Sequence, residues 1–170
     1  TVNPLSNEKV YIDDTAGLTP MQMRSRVRRI MLEKGLDLVI IDYLQLMGAD
    51  GKSENRQQEV SEISRRLKAI ALELKIPILA CAQLSRANTQ RTVKRPMLSD
   101  LRDSGSIEQD ADVVMFLHRE AYYDQTSEET NTAEVIIAKQ RNGPLGTVKL
   151  NWLSEFTLFE DMYTDDAVET

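Results

Sequence analysis

The sequence predicts an α/β fold, with a mainly parallel sheet flanked by helices and an antiparallel edge or hairpin toward the C-terminus. Short apolar runs typical of β-strands recur along the 170 residues, and two long helical patterns separate the first three runs. After Glu108 the runs follow one another closely, with no long helical pattern between them. A strand–helix–strand order requires parallel crossovers, whereas closely spaced strands pair in antiparallel fashion.

The apolar runs have the length and composition of strands. In chain order they cover residues 10–12, 38–41, 78–82, 113–117, 135–138, 148–152 and 156–159. The run at 38–41 is apolar throughout, which predicts a strand that is covered on both faces. Polar segments typical of loops lie at 48–57, 85–96 and 123–132.

Both helical patterns carry an apolar face, and the first also has a clear start signal. The first begins with Thr19 as a cap, Pro20 at the first helical position and Gln22 to close a capping box. Its apolar face consists of Met23, Val27, Ile30 and Met31. The face of the second helix consists of Val60, Ile63, Leu67, Ile70 and Leu74, at steps of three and four residues.

Composition limits the classes of function. The net charge of −6 and the pI near 4.9 argue against a polycation that coats nucleic acid, so any such contact must use a local patch. The single cysteine, Cys81, lies in an apolar run, which predicts a buried thiol in a reducing compartment. No apolar stretch approaches the roughly 20 residues of a membrane span, and no signal-peptide pattern is present. We therefore expect a cytoplasmic protein without membrane contact.

Asp42 follows the all-apolar run directly. Ligands of open parallel sheets bind beyond the carboxyl ends of the strands, and a carboxylate there suits a hydrated magnesium ion held against a nucleotide. An acid that only caps the strand end would produce the same pattern. Asp42 alone does not separate these two interpretations.

Five longer motifs extend the pattern. They are IDDTAGLTPMQMRSRVRRI at 12–30, IDYLQLM at 41–47, AQLSR at 82–86, RPMLSDLRDSGSIEQDAD at 95–112 and IIAKQRNGPLG at 136–146. With these motifs, the chain up to about residue 159 closely resembles the RecA-like motor domain of the DnaB-type replicative helicases. IDYLQLM resembles the Walker B strand of that family, and IIAKQRNGPLG resembles its trans-acting arginine motif.

The resemblance implies roles for individual residues around ATP. Asp42 would hold magnesium through water, and Gln83 would sense the terminal phosphate. Arg141 would be an arginine finger that reaches the nucleotide of a neighbouring subunit, with Lys139 beside it. The turn sequence after Arg141 would project its side chain, and a guanidinium suits a developing phosphoryl charge. A surface ion pair is the alternative for Arg141.

The resemblance also implies a DNA-binding loop. Arg102, Asp103 and Gly105 would follow the phosphate backbone of single-stranded DNA in the channel of a ring. Gly105 supports this interpretation because glycine lets a backbone amide approach a phosphate. The family usually has Arg-Glu where this chain has Arg102 and Asp103, which leaves the role of the shorter carboxylate open. A solvated loop whose arginines only maintain solubility is the alternative.

Two parts of the family's catalytic machinery are missing from this sequence. It contains no G-x-x-x-x-G-K-[ST] phosphate-binding loop, and Tyr43 rather than an acid follows Asp42. The family places that loop and its catalytic glutamate upstream. We therefore expect residues 1–160 to form a partial RecA-like motor domain that is incomplete on its N-terminal side, followed by an acidic, disordered tail at 161–170.

The resemblance implies an ATP-dependent DNA helicase that uses ATP and magnesium, although the isolated chain should be inactive. The implied partners are single-stranded DNA, further copies in a homo-hexamer, and primase and a helicase loader as candidates. A RecA-type recombinase or related ring ATPase would share the core but form filaments or lack the SDLRDSG loop. A non-enzymatic interaction module is the other alternative, and nucleotide-dependent hexamerisation would distinguish it from a motor.

Overall fold

The computed structural model describes residues 9–51, 55–85, 91, 93–104, 106–124 and 130–162, and for residues 102–104 it describes the backbone alone. The helices are α1 (Pro20–Lys34), α2 (Arg56–Leu74), α3 (Ile107–Asp110) and α4 (Glu120–Tyr123). The strands are β1 (Val39–Ile41), β2 (Ile78–Ala80), β3 (Val113–His118), β4 (Thr132–Gln140), β5 (Gly146–Leu153) and β6 (Leu158–Asp161). Short 3-10 turns cover Leu44–Leu46, Leu98–Ser104 and Ser154–Phe156. No helix in these ranges is both long and apolar enough to cross a membrane. Of the predicted acidic tail, residues 163–170 lie outside the described residues.

The strands form two separate sheets. β1 and β2 pair in parallel, with Ile40 opposite Leu79, and α2 makes the connection between them. β3, β4, β5 and β6 pair in that order, each antiparallel to the next. The predicted α/β class, with its change from parallel to antiparallel pairing toward the C-terminus, is confirmed.

The first long helix begins where the sequence predicts, and in both long helices side chains bind the first backbone amides. Thr19 Oγ1 accepts from the backbone amide of Gln22 at 3.4 Å, and Gln22 Oε1 accepts from the backbone amide of Thr19 at 3.0 Å. In α2 the side chain of Asn55 accepts from the backbone amide of Gln58 at 2.9 Å. The predicted capping box and Pro20 at the helix start are therefore confirmed.

The core lies between these helices and the inner faces of both sheets. α2 contributes the largest share, and its Ile63 is only 1% exposed. The buried cluster comprises Met23, Val27, Leu44, Met47, Val60, Ile63, Leu67, Ile70, Leu101, Ile107, Val114 and Phe116. Val39 and Ile78 of the parallel sheet pack against the same cluster, so one core joins the parallel and the antiparallel sheet.

The prediction of a strand at 10–12 is wrong. These residues have no regular secondary structure, and Val10 and Ile12 are 65% and 91% exposed. The ammonium group of Lys34 lies 4.8 Å from the ring centroid of Tyr11, and Arg26 binds the Asp13 carboxylate at 2.5 Å. These contacts attach the segment to the helix instead of to a sheet edge.

Two predictions of burial around the parallel sheet are also wrong. Ile40 and Leu79, which share one sheet face, are 61% and 42% exposed, whereas the opposite face packs on the core. No described helix covers their face, so β1 is covered on one side only. The Cys81 thiol is exposed because it lies where β2 ends, beside an open gap between the two sheets.

Candidate functional site

The carboxyl ends of β1 and β2 bring Asp42 and Gln83 to one edge of the parallel sheet. Beyond the regular strands, Cys81 N donates to Ile41 O at 2.9 Å, and Leu44 N donates to Cys81 O at 2.9 Å. Asp42 is exposed at this edge. The arrangement matches the crevice where ligands of parallel α/β sheets bind.

Gln45, which the sequence interpretation missed, holds the Gln83 backbone. Its side-chain Nε2 donates to Gln83 O at 3.2 Å, and Gln83 N donates to its Oε1 at 3.2 Å. The guanidinium of Arg56 donates in turn to Gln45 O. The signal in the sequence was a single amide in the apolar stretch that follows Asp42. Gln45 therefore links the two strand ends that carry the predicted site residues.

The donor set at this edge fits a metal held mostly by water. Asp42 is the carboxylate at the end of β1, and the described ranges contain no group of three or more His, Cys, Asp and Glu side chains that could hold a metal ion. Magnesium keeps most of its waters and takes one or two carboxylates together with nucleotide phosphates. One exposed carboxylate suits that mode of binding and does not suit a cage of protein ligands.

An open gap of about 820 Å³ separates β2 from β3. Ile78, Leu79 and Ala80 line one side, and residues 113–117 line the other. Both strands lie at the edge of their own sheet, and Met115 and Leu117 are about half exposed. A further strand could pair with both free edges and bury the apolar side chains that line the gap.

Lys139 lies near the end of β4 and caps the C-terminal end of α3. Its ammonium group donates to the carbonyl oxygens of Glu108, Gln109 (3.3 Å) and Ala111 (2.7 Å). Unpaired carbonyls at a helix C-terminus attract cations. All three donors of Lys139 are thus bound within its own chain, and its predicted place beside a neighbour's phosphates stays a prediction.

Arg141 follows β4 and binds the same segment. Its backbone N donates to Asp112 O at 3.0 Å, and its guanidinium Nη2 donates to Gln109 O at 2.9 Å. Its Nε lies 3.2 Å from Asp112 Oδ1, and Lys68 binds the Oδ2 of the same carboxylate. The hydrogen bond from Lys68, with the nearby charges of Arg141 and Lys139, lowers the pKa of Asp112, although its partial desolvation acts in the opposite direction.

The predicted DNA-binding loop overlaps the 3-10 turn Leu98–Ser104. The turn contains Arg102 and Asp103, whose side chains lie outside the described residues, as does all of Gly105. Its anchor is Asp100, which is 6% exposed and accepts from Arg91 at 2.6 Å and from Met97 N at 2.9 Å. The start of this loop is therefore fixed by a buried, ion-paired carboxylate.

Residues 1–161 match the DnaB-like helicase C terminal domain family. This chain belongs to that family. Replicative DNA helicase DnaC of Bacillus subtilis (strain 168) is 56% identical over 166 residues, which cover 96% of this chain and 37% of the relative. Replicative DNA helicase DnaB of Geobacillus stearothermophilus is 56% identical over 159 residues, covering 93% and 35%. The chain thus spans about a third of the length of these relatives.

Two solved structures have the same fold as this DnaB-like chain. One is the structure of a DnaB-like replicative helicase and its interactions with primase. It superimposes with a TM-score of 0.88 at 45% sequence identity, and the match covers 94% of this chain and 38% of that chain. A separately solved ATPase domain gives the same score and identity over 94% of this chain and 57% of its own. The RecA-like fold class that the motifs implied is confirmed.

The residues of this DnaB-like chain that were predicted to act on the nucleotide fall into two groups. Asp42 and Gln83 follow the adjacent parallel strands β1 and β2, whereas Lys139 and Arg141 both bind the Gln109 carbonyl at the end of α3. The first group presents a carboxylate and an amide, and the second presents two cations. The two groups therefore differ in both charge and position.

Proposed function

We propose that this chain is part of an ATP-driven hexameric replicative DNA helicase that translocates on single-stranded DNA and unwinds duplex in the cytoplasm. The main support is the shared edge where Asp42 and Gln83 follow adjacent parallel strands and Gln45 joins them. An anionic metal ligand and a neutral amide on one crevice are suited to a metal-bound nucleotide. Membership of the DnaB-like family supports the helicase over a RecA-type recombinase.

In this proposal Asp42 holds magnesium through water, and Gln83 contacts the terminal phosphate of ATP. When bound, the metal supplies charge neutralisation at the phosphates. Gln45 acts indirectly, because its two hydrogen bonds fix the Gln83 backbone. The relatives are replicative DNA helicases, which supports DNA unwinding as the work that hydrolysis drives.

Arg141 would complete the site of a neighbouring subunit in the ring. It follows a strand of the antiparallel sheet, whereas Asp42 follows a strand of the parallel sheet. A guanidinium that arrives from another subunit would stabilise the charge that develops during phosphoryl transfer. Primase is a partner by analogy with the similar helicase whose structure describes primase interactions, and a loader is a further proposed partner.

The remaining phosphate-binding machinery, in our proposal, comes from another part of the same protein and includes a strand. The gap between β2 and β3 supports this, because both bordering strands have free edges in the described sheets and carry apolar side chains. The uncovered face that carries Ile40 and Leu79 would be buried in the same assembly. A chain that lacks the phosphate-binding loop should bind ATP weakly and not hydrolyse it.

ATP hydrolysis by the 170-residue chain and by the full-length protein tests this proposal. We expect no turnover from the chain, with or without single-stranded DNA, and DNA-stimulated turnover from full-length rings. Asp42→Asn should abolish turnover in the rings because it removes the metal carboxylate. Asp37→Asn is the matched control, since Asp37 is an exposed acid at the opposite end of β1.

Two results would contradict the proposal. Turnover by the purified chain that disappears in Asp42→Asn would show that the phosphate site is complete without the rest of the protein. A full-length protein that neither hydrolyses ATP nor forms hexamers with nucleotide would favour a non-enzymatic interaction module.

A further inference from the structure

We propose that Asp112 is a positioning residue that orients the Arg141 guanidinium for the neighbouring subunit's nucleotide, and that Lys68 holds Asp112 in place. This inference rests on the proposed role of Arg141 as a trans-acting finger. It assigns a task to Lys68, which lies outside the quoted motifs, and to Asp112, the last residue of the motif at 95–112, for which the resemblance gave no role. Both belong to a cluster of charges at the end of α3.

The contacts of Arg141 occupy one edge of its guanidinium. Nε lies 3.2 Å from Asp112 Oδ1, and Nη2 donates to Gln109 O at 2.9 Å. Nη1 and the second hydrogen of Nη2 form the opposite edge, which has no partner among the described residues. A guanidinium binds phosphate oxygens through two parallel donors, so the free edge is the one that such a ligand needs.

Asp112 is itself fixed on both sides. Lys68 from α2 binds Oδ2, while Arg141 lies against Oδ1, so the carboxylate bridges a helix in the core to the finger. The carboxylate is ionised at neutral pH, as an aspartate normally is, and the Lys68 hydrogen bond lowers its pKa further. Arg141 alone could adopt many rotamers, and a bridged carboxylate reduces that freedom before the ring assembles.

The segment that carries Asp112 is attached to α2 at further points. Ser64, which is 8% exposed, donates to Asp110 Oδ2 at 2.7 Å. Ser106 Oγ donates to Ser61 O at 3.1 Å. The Asp112 side chain is 56% exposed, and an exposed ion pair by itself contributes little. The attachment of its segment to a core helix is what restricts where the carboxylate can lie.

A double-mutant cycle in full-length rings tests the assignment. Asp112→Ala should lower kcat for ATP about 10- to 100-fold with little change in KM, because misplacing a catalytic group costs rate rather than ground-state binding. Arg141→Ala alone should lower kcat about 10³-fold or more. Adding Asp112→Ala to Arg141→Ala should have no further effect, since no finger remains to be positioned.

Asp110→Asn is the matched control, because Asp110 supports the same segment without contacting Arg141 in the described structure. Any loss that it causes should be equal in both Arg141 backgrounds. Lys68→Ala should reproduce part of the Asp112→Ala loss, and this loss should also disappear when Arg141 is absent. Lys68→Ala provides the test if Asp112→Ala rings do not assemble.

Three outcomes separate this inference from the proposed function. A loss from Asp112→Ala that is equal with and without Arg141 shows a structural role and overturns the inference. Full activity of Asp112→Ala and Lys68→Ala, when Arg141→Ala is severely impaired, overturns the inference alone. Full activity of Arg141→Ala rings overturns the finger itself, and the inference with it.

Discussion

The two groups of site residues differ in how completely the chain holds them. Asp42 is exposed at a strand end and belongs to no group of three or more potential metal-ligating side chains in the described ranges, and Gln83 is fixed through its backbone by one amide. Lys139 and Arg141, in contrast, make five hydrogen bonds or ion pairs from their side chains to residues 108–112.

This difference has a physical meaning. Groups that act on a nucleotide from outside its own subunit must be oriented before they meet it, and contacts within their own chain supply that preorganisation. A metal ligand and a phosphate sensor can rely on the nucleotide and on the phosphate-binding loop for their final geometry. In the proposed ring, the chain would therefore supply a preformed pair of cations to one nucleotide and an open half of the site for another.

Of the changes considered, removal of the Arg141 guanidinium should have the largest effect on ATP turnover. Arg141→Ala in full-length rings should lower ATP turnover about 10³- to 10⁵-fold, or about 4 to 7 kcal/mol of barrier. Mixing Arg141→Ala subunits with Asp42→Asn subunits should restore some hydrolysis, because some interfaces then join an intact finger to an intact metal site. Steady-state assays over a range of mixing ratios measure this.

Subunit exchange must be shown independently, for example with two fluorescent labels, before the mixtures are compared. If exchange occurs and no mixture exceeds the weighted activity of its parents, the finger does not act between subunits. Arg141 would then either act on the nucleotide of its own subunit or form only a surface ion pair.

A pair of isoleucines tests whether the parallel sheet is open on one face. In the isolated chain, Ile63→Ala should cost about 2 to 5 kcal/mol of unfolding free energy, since Ile63 is 1% exposed in the core. Ile40→Ala should change it by less than about 0.5 kcal/mol, since Ile40 is 61% exposed. Urea unfolding of each variant measures both values.

The same pair sharpens the comparison in the full-length protein. There we expect Ile40→Ala to become destabilising as well, because the rest of the domain would cover its face. A cost for Ile40→Ala that is already large in the isolated chain would show that its face is covered without any further element.

The sequence predicted elements that local chemistry determines. Helix starts follow from side chains that cap their own backbone, as at Thr19, and the position of Asp42 at a strand end follows from the apolar run that precedes it. The strand at 10–12 and the burial of Cys81 were wrong because both depend on what lies beside a sheet edge.

The supporting side chains were missed for a different reason. Gln45 contacts a residue 38 positions further along the chain, and Lys68 contacts Asp112 across 44 positions. Periodicity and short motifs describe neighbours in sequence, so they do not encode pairs at such separations. These contacts became visible only once the fold had brought α2 and the strand ends together.

The smallest expected effect is on DNA binding by the turn Leu98–Ser104. The turn Leu98–Ser104 runs from the buried Asp100 anchor toward α3, and we predict that Arg102 on this turn binds a phosphate of single-stranded DNA. Each lost contact on a single strand should reduce the slope of log affinity against log salt by about 0.7. Arg102→Ala rings should therefore show a flatter slope and unchanged nucleotide binding.

Arg95→Ala is the matched control for this prediction, because the Arg95 guanidinium is already occupied within its own chain. It lies 2.5 Å from a Glu134 carboxylate oxygen and donates to Thr147 Oγ1 at 3.2 Å. Its removal should leave the salt slope as it is, although both arginines lie close in sequence. Fluorescence anisotropy with a labelled oligonucleotide at several salt concentrations measures the two slopes. Equal slopes for Arg102→Ala and the parent protein would show that Arg102 does not contact DNA. A changed slope for Arg95→Ala alone would show that the contact lies in the segment that precedes the turn.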